Sequence, residues 1–346
     1  MNIFLDDRKC HEQLKPFSLT RHVSEIRVGI LTIKEKWVHL TGATIIISEN
    51  DIPRDCLVIS ANIIPTSQNI KTLLNAAAGK ISVMESDEIK IIKHPWEIFQ
   101  LNDWALRHDF KLLVSKPSVP KSSSNTFLNQ NNIFIAETAV VNHSILNADA
   151  GPIYIDKHAE IMEGSLIRGP FFLGENSVVK MGSKIYGATS IGPGCVAGGE
   201  IKNSVIFGYS NKAHDGYLGD SVIGEWCNLG AGSSNSNVKN TGGEIHYIVN
   251  NNGDTIKAGK KTGLLMGDYS RSAINTSFTT GTTIGVCCNV FGSNAPRKYV
   301  DNFSWGEDRY IFEKALLDIT NWKTMKQQKL SQNEIDVLQQ IYLLNQ

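Results

Sequence analysis

From residue 155 onward the chain places a large aliphatic side chain at every sixth position: Ile155, Ile161, Ile167, Leu173, Val179, Ile185 and Ile191. Four residues after each stand Ala159, Ser165, Phe171, Ser177, Ser183, Thr189 and Cys195, all small except Phe171. The rhythm resumes at Ile223 with Cys227, Leu229 with Ser233, Phe278 with Thr282, and Ile284 with Cys288. A period of six matches neither the 3.6-residue turn of a helix nor the alternation of a strand. It matches a chain that runs a short flat edge, turns and repeats, with the aliphatic residue filling a prism and the small one fitting its corner. The pattern therefore predicts a hexapeptide parallel β-helix over residues 129–306. A β-sandwich would need period-two alternation and hairpin turns, which are missing.

The flanks follow other rules. Residues 1–115 interleave short aliphatic runs (Ile3–Leu5, Thr44–Ser48, Cys56–Ser60, Ile89–Ile92) with helical spacings over Val23–Ile33, Gln68–Ala77 and Trp96–Arg107, which predicts a small α/β layer structure. Lys116-Pro-Ser-Val-Pro-Lys-Ser-Ser-Ser-Asn125 is Pro/Ser-rich and predicts a linker over 116–128. Residues 307–346 return to helix, with Ile311, Ala315, Leu316, Ile319 and Trp322 on one face. Ser331 and Glu334 have the spacing of a capping box ahead of Ile335, Leu338, Ile341 and Tyr342. These helices are expected to cover the open end of the prism or a neighbouring subunit. The expected fold class is thus α/β plus β-solenoid. Glycine draws the same boundaries, since 26 of the 29 lie between Gly151 and Gly306.

Composition narrows the function. Lys plus Arg equals Asp plus Glu at 34 each, so no basic field attracts nucleic acid or anionic membrane. No aliphatic run approaches a membrane span, and the acidic start Asp6-Asp7 is unlike a secretory signal. The six cysteines form no CxxC pair and read as reduced thiols, so a cytoplasmic protein is expected. The histidines, His143 and His158 among them, form no metal-binding triad, which sets aside a zinc carbonic anhydrase on this fold.

Chemistry must come from residues that break the repeat, and the clearest break runs from Lys202 to Asn240. Lys202 precedes His214 by twelve residues, then come Tyr217-Leu218-Gly219-Asp220 and Asn228-Leu229-Gly230-Ala231-Gly232. These anchors resemble the acetyltransferase half of the bacterial bifunctional enzymes that acetylate glucosamine-1-phosphate and then uridylylate it. Phe4-Leu-Asp-Asp-Arg8 and Val28-Gly-Ile-Leu-Thr-Ile-Lys-Glu-Lys-Trp37 further resemble a short-headed, nucleotidyltransferase-like branch of that family. The resemblance implies a left-handed coil, acetyl-CoA as acyl donor, an amino-sugar phosphate as acceptor, and a homotrimer with CoA between adjacent prisms. It also implies roles. His214 would be the general base, which suits a neutral imidazole near physiological pH. Lys202 and Tyr217 would hold the sugar phosphate, Asn228 would hydrogen-bond the sugar, and the Ala231 N–H would stabilise the oxyanion. Asn237 would contact acetyl-CoA, and Lys180, standing where the family has arginine, is a second phosphate cation without arginine's bidentate grip.

Departures from the family are as informative. After Asn237 the expected Tyr-Asp-Gly and lysine are replaced by Val238-Lys239-Asn240-Thr241-Gly242-Gly243, and a polar excursion with Asn250–Asp254 at its tip runs on to Lys261, predicting a hairpin. The coil restarts at Gly263 and is expected to close at Phe291–Asn294. The head lacks the Gly-rich triphosphate loop and is about half a complete nucleotidyltransferase. Its candidates are the cations Arg8, Arg21, Arg27 and Lys34 facing phosphate, with Asp6 and Asp7 as ligands for Mg²⁺ if the head is active. Two other functions remain open: nucleotidyl transfer to a hexose-1-phosphate, with the coil as support, and a non-catalytic sugar-nucleotide-binding scaffold.

Overall fold

The computed structural model describes residues 1–79, 83–119, 124–250 and 252–344; the middle of the linker, 120–123, lies outside them. The six-residue period becomes three flat faces. Ile155 pairs in register with Leu173, and Leu173 with Ile191, while Ile161 pairs with Val179 and Ile167 with Ile185. Three hexads therefore complete one coil, and successive coils stack as ladders of nine, ten and six strands. The aliphatic positions fill the prism. The small corner residues have a hydrogen-bonding reason as well as a steric one. Ser177 Oγ donates to the Gly192 carbonyl at 2.7 Å and Ser210 Oγ to Gly224 at 2.7 Å, and the Cys195 thiol donates to Phe207 at 2.8 Å. Each corner thus satisfies a carbonyl that would otherwise be buried without a partner.

The coil runs further than its sequence pattern. Strands Tyr299–Val300 and Ser304–Trp305 stack in parallel on Thr283–Ile284 and Asn289, beyond the closure expected at Asn294. Ala295-Pro-Arg-Lys298 interrupts the hexads there, so the last strands carry no periodic signal.

In the head, β1 (Asn2–Asp6), β2 (Thr44–Ile46) and β3 (Cys56–Ser60) form a parallel sheet in the order β2-β1-β3. The helix expected over Val23–Ile33 is instead a single 3₁₀ turn, Val23–Glu25, followed by a buried loop through Gly29, whose φ of +82° ends any helix there. Helix α1 (Ile33–Thr41) begins afterwards, with Thr32 Oγ1 accepting from Glu35 N at 3.1 Å and Glu35 Oε2 accepting from Thr32 N at 2.7 Å. Helix α2 covers Ile70–Ala77. The segment expected as Trp96–Arg107 is two helices broken at Leu101, α3 (Glu97–Gln100) and α4 (Asn102–Leu113).

Each prism face has a different fate. From the nine-stranded face Val205, Val222 and Leu265 point outward into the head's own core, and Phe172 packs against Phe110 of α4. Asn102 on α4 stitches the two together: it accepts from Gly29 N at 2.7 Å and Ser190 Oγ at 3.0 Å, and donates to the Ala188 carbonyl at 2.8 Å. The hairpin of strands Ile245–Ile248 and Thr255–Gly259 forms as expected and folds back on the head, where Tyr247 stacks on Trp96 at 5.0 Å and Trp96 on His94 at 4.6 Å. Helices α5 (Phe312–Met325) and α6 (Gln332–Leu344) do not close the prism end. They lie along its side, on the corner built by Trp226, Tyr269, Val286 and Phe303, and Lys326 reaches Asn211 Oδ1 at 3.0 Å on the ten-stranded face. Their capping box forms, Ser331 N donating to Glu334 Oε2 at 2.8 Å and Glu334 N to Ser331 Oγ at 3.3 Å. The six-stranded face is left bare: its outward Leu128, Ile145 and Leu166 are 41%, 41% and 48% exposed. No helix among the described residues is long and apolar enough to cross a membrane.

Candidate functional site

The bare face and one of its corners collect most of the residues singled out in the sequence. Strands Glu200–Lys202 and Tyr217–Gly219 are neighbours on this face, with Glu200 opposite Tyr217, Ile201 opposite Leu218 and Lys202 opposite Gly219. Ile201 and Leu218 point into the prism, so Lys202 and Tyr217 point out. Gly219 makes room for the Tyr217 ring. A Cβ there would lie 2.3 Å from the Tyr217 hydroxyl, so the phenol rests over the residue paired with Lys202. The hydroxyl accepts from Asn237 Nδ2 at 3.1 Å, and Asn237 also donates to Asp220, which accepts from Asn203 at 2.6 Å. Burial, and secondarily the Asp220 carboxylate, push the Tyr217 phenol up to about 12, so it stays protonated as a donor.

His214 is exposed on the corner that leads into the Tyr217 strand. The Ala231 corner stacks on it, Gly232 N donating to Asp215 O at 3.0 Å. The Ala231 carbonyl accepts from Asn275 N at 2.7 Å, while its N–H donates to no backbone carbonyl of the described residues. On the other side, a Cβ on Gly198 would lie 2.3 Å from Ala213 O and one on Gly199 2.7 Å from His214 O, so only glycine lets these corners approach. Lys180 occupies the same corner two coils away from His214, roughly 10 Å at the usual strand spacing.

Asn228 is placed differently. It points outward from the ten-stranded face, where Asn211 Nδ2 donates to its Oδ1 at 3.4 Å, around the corner from Lys202 and Tyr217. Sequence reasoning missed Arg168, Lys184, Tyr186 and Glu200, which stand with Leu166 around a cleft of about 560 Å³ on the bare face. Tyr186 donates to Glu200 Oε1 at 2.7 Å. Their signal was the outward alternation within three-residue strands, too short to read before the coil register is known.

Each head candidate is engaged by a partner within the protein. Arg8 donates to both Asp6 oxygens at 2.8 and 2.7 Å, a bond that holds the Asp6 carboxyl below its ordinary value. Burial would raise Asp7, but hydrogen bonding to His11 at 3.0 Å and the nearby His22 outweigh it. With these oxygens engaged, and with no cluster of three metal-ligating side chains among the described residues, Asp6 and Asp7 as they stand do not fit a Mg²⁺ site. Arg21 is buried and ion-paired to Asp268, with Glu225 at 3.5 Å. Arg27 donates to the Ile30 carbonyl beside the Phe172 ring, and Lys34 pairs with Glu25 at 3.4 Å.

Residues 2–87 match the family model described as sugar nucleotidyl transferase. The bifunctional protein GlmU of Methanococcus maripaludis is 28% identical over 268 residues, 76% of this chain and 58% of that protein. A bifunctional sugar-1-phosphate nucleotidylyltransferase/acetyltransferase of Sulfurisphaera tokodaii is 28% identical over 277 residues, 71% of this chain and 60% of its own. The chain is similar to these bifunctional proteins over about three quarters of its length. It spans little more than half the length of each. A hexapeptide transferase family protein from Anaplasma phagocytophilum aligns over 63% of this chain and 94% of its own at 14% identity, with a TM-score of 0.21; the fold assignment rests on the strand ladders themselves. The family model covers the head, residues 2–87, and the coil carries the Lys202–Asn237 segment singled out in the sequence.

Proposed function

We propose that this protein transfers the acetyl group of acetyl-CoA to the amine of an amino-sugar phosphate of the glucosamine-1-phosphate type. The observation that supports this most is that the Tyr217 ring lies over Gly219, the residue paired with Lys202 on the bare face, next to the exposed His214 corner. Lys202, with Lys180 as a second cation, holds the phosphate, and Tyr217 donates to it. His214 takes a proton from the amine as its nitrogen attacks the thioester carbonyl. The Ala231 N–H donates to the oxyanion so formed, and collapse breaks the C–S bond, releasing CoA thiolate, which takes up a proton. No covalent enzyme intermediate is needed. Asn228 lies outside this group in one subunit and acts on the sugar only if the pocket wraps the corner.

A second copy completes the site. The exposed Leu128, Ile145 and Leu166 share the bare face with Lys202 and Tyr217, and burying them is the driving force for a homotrimer through that face. CoA then lies between adjacent prisms.

The test mixes the protein with acetyl-CoA and glucosamine-1-phosphate and follows thiol release, with His214→Ala as control. Turnover that falls about 10²–10⁴-fold in the control supports the reading; no turnover by trimeric protein overturns the acceptor. The family match over residues 2–87 favours one further reading, nucleotidyl transfer to a sugar-1-phosphate by the head. Pyrophosphate release from UTP or dTTP with a hexose-1-phosphate checks it, and binding of sugar nucleotide without either turnover would leave a scaffold.

A further inference from the structure

One charged residue stands in the wrong place for a β-helix. The inward column of the ten-stranded face reads Val141, Ile161, Val179, Ala197, Lys212, Leu229, Ser272 and Val290. Lys212 is 2% exposed, so its ammonium sits inside the prism. Its Nζ donates to the Gly198 carbonyl in the preceding coil at 3.1 Å and to the His214 carbonyl at 2.5 Å. Both of these partners are carbonyls rather than carboxylates, so the buried ammonium is desolvated without a counter-charge in hydrogen-bond contact. That desolvation falls at the coil carrying His214.

We propose that Lys212 is a positioning residue for His214, its ammonium tying the His214 carbonyl to that of Gly198 and so fixing the corner from which the imidazole works. The inference rests on the acetyltransferase reading above. The corner needs such a staple. It is exposed, its neighbours are Gly198, Gly199 and Gly216, and Gly216 has a φ of +121° open only to glycine. The charged groups nearby are Asp215 in the same corner and Lys180, whose Cβ is 3.3 Å from where a Cβ on Gly198 would stand. Ala197 and Leu229, above and below in the column, bring no charge. Burial lowers the Lys212 ammonium to about 8, partly offset by Asp215, so the staple is charge-assisted below that pH and weakens above it, where a neutral amine donates in place of the ammonium.

The test compares wild type, Lys212→Met and Lys212→Gln as full chains. Hydrogen exchange should rise roughly tenfold or more across residues 213–217 in Lys212→Met, with the melting temperature unchanged or higher because an apolar side chain now fills the column. Turnover should fall about 10²-fold while the KM for acetyl-CoA stays within about twofold. The wild-type rate should decline through about pH 8 as the ammonium loses its proton, and that inflection should be missing from the residual rate of Lys212→Met. Lys212→Gln, which still donates to one carbonyl, should recover part of both signals. Unchanged exchange at 213–217, or full turnover in Lys212→Met beside an inactive His214→Ala, overturns the proposal. Exchange tests the staple even if the wild type acetylates no amino sugar, which separates its failure from failure of the acetyltransferase reading.

Discussion

The side-chain amide of Asn237 donates at once to the Tyr217 hydroxyl at 3.1 Å and to Asp220 Oδ2 at 2.5 Å. The residue that the family resemblance assigns to acetyl-CoA is thus the one that holds the candidate phosphate donor. Asn237→Ala should raise the KM for the sugar phosphate about tenfold and leave that for acetyl-CoA nearly unchanged, because a one-sided loss of binding appears in one KM. Steady-state kinetics with each substrate varied separately decides it; a rise confined to acetyl-CoA returns Asn237 to the donor side.

Arg21 and Asp268 lock the head to the coil. The side chains are 8% and 2% exposed, and Thr20 Oγ1 and Glu225 N also donate to Asp268, at 2.6 and 2.8 Å. Arg21→Ala leaves a buried carboxylate without its cation and should cost about 3–5 kcal/mol, read as a fall in denaturant midpoint. If nucleotidyl transfer exists, its loss in this variant must be compared with that stability change before Arg21 is given a phosphate.

Tyr247 is the anchor of the hairpin that replaces the family's expected segment. It is buried, stacks on Trp96, and donates to the Gly263 carbonyl at 3.2 Å. Tyr247→Ala should destabilise by about 3–5 kcal/mol and change Trp96 fluorescence, whereas Tyr247→Phe keeps the stack and should cost only about 1 kcal/mol.

Leu166→Glu puts a charge in the middle of the apolar stripe on the bare face without touching the prism interior. If this face buries against further copies as proposed, sedimentation should show wild-type protein as an oligomer and Leu166→Glu as monomer, with the melting of the monomer fold retained. Acetyl transfer should fall with it if the site needs two subunits.

Burial alone would raise the Glu334 carboxyl, but hydrogen bonds from Lys323, Ser331 and Tyr269 outweigh it and hold the group below 4.5. A depressed folded value contributes stability that is fully present above the unfolded carboxylate range and lost as pH falls through the folded one. The midpoint of thermal unfolding should therefore decline below about pH 4.5, and Glu334→Gln should flatten that limb.

The coil was legible because one six-residue period fixes both which side chains enter the prism and where the chain turns: Ile155, Leu173 and Ile191 stack as their eighteen-residue spacing requires. The same local logic gave the capping box at Ser331–Glu334 and the hairpin after Asn240. It failed at Val23–Ile33, where apolar spacing serves a buried loop, because burial by a neighbouring element creates the same pattern as a helix. Which face of the prism stays bare could not be read at all. That depends on where Val205, Val222 and Leu265 meet the head and where Trp226 and Tyr269 meet the last two helices, contacts between residues far apart in the chain. Short-range periodicity determined the scaffold, and the family resemblance, not the repeat, singled out Lys202, His214 and Ala231 where the repeat breaks. Only tertiary packing decided that Tyr217 lies across Gly219 toward Lys202, that Arg21 is spent on Asp268, and that Lys212 is buried beneath the His214 corner, since each is set by which coil or domain presses on the other.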